Sequence, residues 1–177
     1  MPALLFFTDP ARTPDPVAAA RALPKGAGIV YRSFGAPDAE ATALQLKAVV
    51  RSGGLMLLIG QDAALARRVG ADGVHLPERL AHRAASLKRA NPGWIVTAAA
   101  HSLAAARVPG ADAVVISAAF PSRSPSASWP LGPVRLSALV RAAGRPAYAL
   151  GGVNNKTARR LRDAGLVGLA AVDALRT

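Results

Sequence analysis

The sequence predicts a compact (β/α)8 barrel with short loops, and three observations lead to this prediction. Short apolar runs without polar alternation recur along the chain, as expected of strands that are buried on both faces of a parallel sheet. Segments with apolar residues at helical spacing lie between these runs, and several end at a glycine, which readily takes the left-handed conformation after a helix. Eight such units fill the chain, so residues 1–177 are assigned to one domain.

Eight apolar runs are the strand candidates. Six of them follow a glycine, and a strict alternation of strands with helices is typical of a parallel sheet. The runs are LLFFTDP (4–10), GAGIVYR (26–32), GGLMLLIG (53–60), GADGVHLP (70–77), PGWIVTAAA (92–100), GADAVVISAAF (110–120), RPAYALGG (145–152) and GLVGLAAV (165–172).

Seven helix candidates lie between the strand candidates, and Ser102 and Asn154 are their clearest N-caps. TIM barrels, as these folds are also called, typically have about 250 residues, so the loops of this chain must be minimal. A doubly wound open sheet is the alternative, but the first strand is followed by TDPART and not by a glycine-rich dinucleotide-binding motif. The helix candidates span residues 16–23, 37–52, 61–69, 78–90, 102–108, 133–143 and 154–164.

The composition excludes several classes of protein. The net charge is +12, but the arginines lie singly or in pairs within helix-like segments, so we expect mainly a solvated basic surface and no nucleic-acid partner, with attraction of a phosphorylated substrate as the alternative. The chain has no cysteine, which excludes disulfides and thiolate metal sites and makes a cytoplasmic location the expectation. No apolar run reaches the roughly 20 residues of a membrane span, and the amino terminus lacks the features of a signal peptide.

The active sites of such barrels lie at the carboxyl ends of the strands, where three residues stand out. His101 lies between the fifth apolar run and a helix candidate, and imidazole gains and loses protons near neutral pH. Arg32 ends the second run, where it would meet an anion, and His75 ends the fourth. The third histidine, His82, falls inside a helix candidate and is predicted to lie on the surface.

The segment LGGVNN (150–155) predicts a phosphate site. Two glycines between a strand and a helix expose backbone amides and allow an anion to approach closely. The loops after strands 7 and 8 of such barrels often bind phosphate. We therefore expect Gly151, Gly152 and the turn at Val172 to bind a phosphate group.

Five segments, in this order and spacing, resemble the thiamine-phosphate synthase/TenI superfamily of small (β/α)8 barrels: GADGVHLP, AAAHSLAAA, GADAVVISAAFPSRS, YALGGVNN and AGLVGLAAV. The resemblance covers nearly the whole chain and implies one of two activities. The synthase joins a pyrimidine pyrophosphate to a thiazole phosphate with Mg²⁺ and releases pyrophosphate. TenI-like proteins instead convert a thiazole phosphate carboxylate to its aromatic tautomer without a metal.

Several positions that the resemblance assigns to synthase chemistry carry other residues in this chain. The synthase has a lysine after strand 2, an Asn-Asp pair after strand 3, an acidic metal ligand after strand 4 and a lysine after strand 6. Cations and hard oxygen ligands are what a leaving pyrophosphate and its Mg²⁺ require, so their loss disfavours the synthase reaction. The corresponding residues are Phe34, Gly60, Gln61, Leu80 and Pro125, with Glu78 and Arg123 nearby.

The TenI-like branch fits better. His101 followed by Ser102 matches the position of its general acid/base histidine, and the proline of GVHLP is favoured in that branch. We therefore expect a metal-independent thiazole phosphate tautomerase without a cofactor, with Mg²⁺ required only under the synthase alternative. A non-catalytic barrel that binds a phosphorylated ligand is the third alternative, and a homodimer is one option for its assembly.

The expected ligand is a small phosphorylated heterocycle. Asp173 stands where the superfamily usually has a small residue, and its carboxylate would repel phosphate or cap a following helix. No metal ligands are predicted, and His101 is the predicted catalytic residue. The predicted contacts with substrate and phosphate are Arg32, His75, Ser122, Arg123, Gly151, Gly152, Val172 and Asp173.

Overall fold

The computed structural model of the chain describes residues 1–122 and 129–172. All eight predicted strands form, each is parallel to its neighbours, and they follow one another around a closed barrel in chain order. Leu5 of the first strand pairs with Ala170 of the last, so the barrel closes and the open-sheet alternative is wrong. The strands are β1 (Leu4–Phe7), β2 (Gly28–Tyr31), β3 (Met56–Gly60), β4 (Gly73–Leu76), β5 (Ile95–Ala100), β6 (Ala113–Ile116), β7 (Ala147–Ala149) and β8 (Gly168–Ala171).

The helices occupy the predicted segments, but most are shorter than predicted. The segment 78–90 is not one α-helix, because a 3₁₀ helix (Glu78–Arg83) precedes its α-helical part. Another 3₁₀ turn (Arg159–Leu161) directly follows the α-helix that Asn154 caps. Ser102 and Asn154 are N-caps, as predicted. The α-helices are α1 (Pro16–Arg21), α2 (Ala39–Gly53), α3 (Ala63–Arg68), α4 (Ala84–Ala90), α5 (Leu103–Ala106), α6 (Gly132–Ala143) and α7 (Asn155–Ala158).

The strand residues are divided between two apolar cores. Phe7, Leu58 and Tyr148 point into the barrel, whereas alternate residues such as Phe6 and Leu57 pack in the shell between strands and helices. Because both faces of each strand are buried, the strands read as unbroken apolar runs in the sequence. The Tyr148 hydroxyl donates to the Pro2 carbonyl at 2.7 Å, and burial raises the pKa of Tyr148 to about 12. The barrel interior is therefore filled at the end where the strands begin.

The repeated GAD motif has a structural role at the amino ends of the strands. Asp72, just before β4, accepts from the Leu57 amide at 2.7 Å and from the Lys47 ammonium at 2.9 Å. Asp112, just before β6, accepts from the Val96 amide at 2.8 Å and from an ammonium group at 3.0 Å. Each aspartate therefore ties the start of a strand to its neighbour, far from the mouth at the carboxyl ends of the strands.

Within residues 1–122 and 129–172, no helix has both the length and the apolar character that crossing a membrane requires.

Candidate active site

A cavity of about 1010 Å³ opens at the carboxyl ends of the strands, which we call the barrel mouth. Parallel strands in a closed barrel end on the same rim, so side chains that are distant in sequence meet there. Arg123 and Asp173 lie outside the described residues. All the other predicted site residues line the mouth, namely Arg32, His75, His101, Ser122, Gly151, Gly152 and Val172.

The ring of His101 is held between two side chains in the mouth. Its Nδ1 lies 2.6 Å from Oε2 of Glu78, and its Nε2 lies 3.1 Å from Oγ of Ser117. The same Glu78 oxygen also accepts from the backbone amide of His101 at 2.7 Å. The His101 side chain is 44% exposed, so a ligand in the mouth can reach it. His82 is exposed on the 3₁₀ helix, as predicted.

This arrangement sets the tautomer of the His101 imidazole. A carboxylate only accepts hydrogen bonds, so the ring proton resides on Nδ1, facing Glu78. In the neutral ring, Nε2 then carries the lone pair and accepts from the Ser117 hydroxyl. Nε2 is therefore the nitrogen available to take a proton.

Sequence reasoning missed the partnership of Glu78 and Ser117 with His101. Glu78 begins the 3₁₀ helix after β4, and Ser117 follows β6, so they flank β5 and His101 on both sides. A signal existed in the strand order, because the residues that follow three consecutive strands of a barrel must be neighbours.

Arg32 is fixed in the mouth and already has an acidic partner. Its Nε donates to the Thr8 carbonyl at 2.7 Å, and its Nη2 lies 3.3 Å from a carboxylate oxygen of Asp9. The guanidinium also lies 5.7 Å from the ring centre of Phe7 and 5.2 Å from that of Phe34. Burial lowers the pKa of Arg32, and the Asp9 carboxylate opposes this effect. A bound anion would therefore share this cation with Asp9.

His75 is a neutral histidine. It is only 7% exposed, its Nδ1 lies 2.9 Å from the Thr97 hydroxyl, and its ring meets that of Phe7 edge to face at 4.9 Å. Burial lowers the pKa of His75 to about 3, with the Arg32 charge acting in the same direction. The ring therefore remains uncharged near neutral pH and can bind a ligand only as a neutral hydrogen-bonding group.

The Gly151–Gly152 turn brings backbone into the mouth in a way that needs glycine. Both residues have positive φ, and a Cβ at Gly152 would lie 2.4 Å from the Pro121 carbonyl oxygen. The first-turn amides of α7 are used by its own cap, because Oδ1 of Asn154 accepts from Lys156 and Thr157. Within the described ranges, the amides of Gly151 and Gly152 have no backbone acceptor.

The residues at the carboxyl ends of β3 and β4 do not fit the Mg²⁺ that the synthase resemblance implies. Gln61 has a positive φ of 54°, and its side-chain amide oxygen Oε1 accepts from Nη2 of Arg79 at 2.6 Å. Glu78 is engaged by His101. A guanidinium beside the amide opposes a divalent cation, and a hard cation prefers several carboxylate oxygens. Nowhere in residues 1–122 and 129–172 do three His, Asp or Glu side chains form a group that could hold a metal.

Comparison with known proteins identifies relatives of the whole barrel. The family model for thiamine monophosphate synthase matches residues 4–175. A thiamine-phosphate synthase of Alcanivorax borkumensis is 34% identical over 186 aligned positions, covering 97% of this chain and 84% of the relative. One of Chromobacterium violaceum is 34% identical over 138 positions, covering 75% of this chain and 66% of the relative.

Solved structures of similar fold agree with this result. A thiamine phosphate pyrophosphorylase from Pyrococcus furiosus superimposes with a TM-score of 0.82 at 25% identity, covering 96% of this chain and 84% of that one. An aldolase of the HpcH/HpaI type from Desulfitobacterium hafniense has a TM-score of 0.67 at 15% identity, which reflects the barrel fold alone.

Proposed function

The chain belongs to the thiamine monophosphate synthase family, and we propose that it is a metal-independent tautomerase that acts on a thiazole phosphate through His101. The observation that carries this proposal is the placement of the imidazole in the mouth. Glu78 holds the Nδ1 proton, which leaves Nε2 free to exchange a proton with a ligand in place of the Ser117 hydroxyl. A single group that both takes and returns a proton is all that a tautomerisation requires.

The loop amides of Gly151 and Gly152 would bind the phosphate group of the substrate. Lys156 lines the same side of the mouth and supplies a positive charge. Under this proposal, the phosphate binds at one side of the mouth and the heterocycle lies over Ala99. The small side chain of Ala99 leaves room for the heterocycle beside His101.

The reaction then follows from the residues around the heterocycle. Nε2 of His101 removes a proton from one ring atom, and the imidazolium so formed is stabilised by the Glu78 carboxylate at 2.6 Å. The same nitrogen returns the proton to another atom of the conjugated system, so atoms and charge balance over the cycle. His75 provides a neutral contact that does not compete for this proton, because its pKa is lowered to about 3.

Thiamine-phosphate synthase activity is the second candidate, since the relatives carry that name and the family is described by that reaction. Arg32, Arg79 and Lys156 give the mouth three cations that could meet a pyrophosphate. The glycine and glutamine at Gly60 and Gln61 support the tautomerase instead, because neither offers a carboxylate for Mg²⁺.

Two assays on the same preparation separate the candidates. The tautomerase predicts a change in ultraviolet absorbance when the thiazole phosphate carboxylate is added in the presence of a chelator. The synthase predicts thiamine phosphate only when the pyrimidine pyrophosphate, the thiazole phosphate and Mg²⁺ are present together. Synthase turnover of about 1 s⁻¹ or faster, with no absorbance change in the first assay, would refute the tautomerase proposal.

A further inference from the structure

The Ser117 hydroxyl has no role in the proposed tautomerisation, yet it completes a chain of three side chains. Ser117 Oγ lies 3.1 Å from His101 Nε2, and His101 Nδ1 lies 2.6 Å from Glu78 Oε2. A hydroxyl on a base that is itself oriented by a carboxylate is the arrangement that activates serine as a nucleophile. Ser117 is partly exposed and lines the mouth, so an electrophile can approach it.

We propose that Ser117 is a nucleophile and that the barrel mouth carries an acyl-transfer activity toward esters or thioesters of small anionic carboxylic acids. The direction of the hydrogen bonds supports this assignment. Because Glu78 keeps the ring proton on Nδ1, Nε2 accepts the Ser117 proton, as a general base must. The backbone amide of His101 bonds the same Glu78 oxygen at 2.7 Å, which fixes the carboxylate independently of the ring.

The surroundings of Ser117 suit an acyl group with a negative charge. Gly151 packs against Ala118, the residue after the nucleophile, since a Cβ on Gly151 would lie 3.1 Å from the Ala118 Cα. Gly151 therefore lies beside the residue that follows Ser117, and its amide is the proposed donor to the oxyanion of a tetrahedral intermediate. Lys156 supplies a cation for the charged end of the acyl group.

The steps balance without a metal or an oxidant. The Ser117 oxygen bonds to the acyl carbon while its proton passes to Nε2 of His101. The bond from the acyl carbon to the leaving oxygen or sulfur breaks, and His101 gives its proton to that atom. Water then attacks the acyl-serine, gives one proton to His101 and releases the carboxylic acid, and that proton returns to the Ser117 oxygen.

A fluorophosphonate probe tests the nucleophile without knowledge of the natural substrate. Attack by Ser117 forms a bond between oxygen and phosphorus, expels fluoride and leaves a stable adduct, which intact-protein mass spectrometry detects and peptide mapping locates. We expect one adduct per chain on Ser117, no adduct in Ser117→Ala, and unchanged labelling in Ser33→Ala. Ser33 is a matched control, because it also lines the mouth and is partly exposed.

The lack of cysteine in the chain permits a second, independent test. Ser117→Cys places the only thiol of the protein beside His101, where the base should convert it to the more reactive thiolate. We expect iodoacetamide to alkylate this thiol at least about tenfold faster than the same thiol in a Ser117→Cys, Glu78→Gln double variant, since the uncharged amide no longer stabilises the imidazolium of the thiolate pair. Circular dichroism melting curves confirm that each variant is folded.

Two outcomes overturn the proposal. One is the absence of an adduct on Ser117 in the wild type, or an adduct on another residue. The other is equal alkylation of the thiol with and without the Glu78 carboxylate, which would mean that the three side chains do not act together. The first outcome leaves the tautomerase untouched, because proton transfer by His101 needs no serine nucleophile. The second outcome also removes the Glu78 support for His101, and the absorbance assay for the tautomer then decides the tautomerase separately.

Discussion

Replacing His101 with alanine separates a catalytic histidine from a structural one. The substitution removes the ring contacts with Glu78 and Ser117 but keeps the backbone bond from residue 101 to Glu78. A contact with a carboxylate as exposed as this one contributes about 0–1 kcal/mol, because water screens it, and the hydrogen bond to Ser117 adds about 1 kcal/mol. The total loss of about 1–2 kcal/mol should lower Tm by about 2–8 °C, since each kcal/mol shifts Tm by about 2–4 °C in a domain of this size.

The expected effect on the reaction is much larger. Loss of a general acid/base lowers the rate by about 10²–10⁴-fold, so tautomer formation should nearly cease while the protein stays folded. Melting curves and ultraviolet absorbance of the tautomer, recorded on the same samples, measure both effects. His82→Ala is the matched control, because His82 is exposed outside the mouth and its loss should change neither quantity. His101→Ala that retains wild-type activity, or that melts more than about 10 °C below the wild type, would refute the reasoning.

Three further perturbations test other parts of the structure. Asp72→Ala should lower the free energy of unfolding by about 1.5–3 kcal/mol in urea titrations, because the Leu57 amide loses a charged acceptor. The ligand affinity of this variant should equal that of the wild type. Lys156→Ala should weaken binding of a phosphate monoester by about tenfold in calorimetry, with an unchanged Tm, and equal affinity would remove this lysine from the site. The His75 pKa is lowered to about 3 in the folded chain from an ordinary 6.5, so the unfolded chain binds the extra proton first and stability falls as pH decreases from about 6.5 toward 3. Urea titrations from pH 7 to pH 4 should show this loss, at up to about 1.4 kcal/mol per pH unit, in the wild type but not in His75→Gln, and parallel curves would contradict it.

The GAD motif has a structural role that the sequence alone did not predict. In the sequence, GADGVHLP and GADAVVISAAF contribute to a family resemblance. In the structure, Asp72 and Asp112 accept amide protons from the neighbouring strand and ammonium protons from a helix. The repeat therefore stabilises the end of the barrel where the strands begin, and it lies apart from the chemistry.

The helix ends were the least predictable part of the fold. The periodic pattern predicts where a helix lies but not how long it is. Asn154 caps an α-helix of only four residues, which continues as a 3₁₀ turn. α7 itself buries no residue, whereas the 3₁₀ turn after it places Leu161 in the core, so the turn and not the helix packs against the barrel.

The sequence by itself determined the barrel and its order of strands, because both depend on local patterns. Unbroken apolar runs require burial on both faces, glycines end helices, and eight repeats close a sheet. The same local reading placed His101 and Gly151 at the carboxyl ends of their strands, and both line the mouth.

Only the tertiary structure decided what these residues contact. Glu78 and Ser117 are 23 and 16 residues from His101 along the chain, and they meet its ring because β4, β5 and β6 are adjacent and end on one rim. Burial likewise separates two histidines that look alike in the sequence. His75 lies against Phe7 with a lowered pKa, whereas His101 is open to the mouth, because side-chain direction alternates along a strand and solvent access depends on the whole barrel.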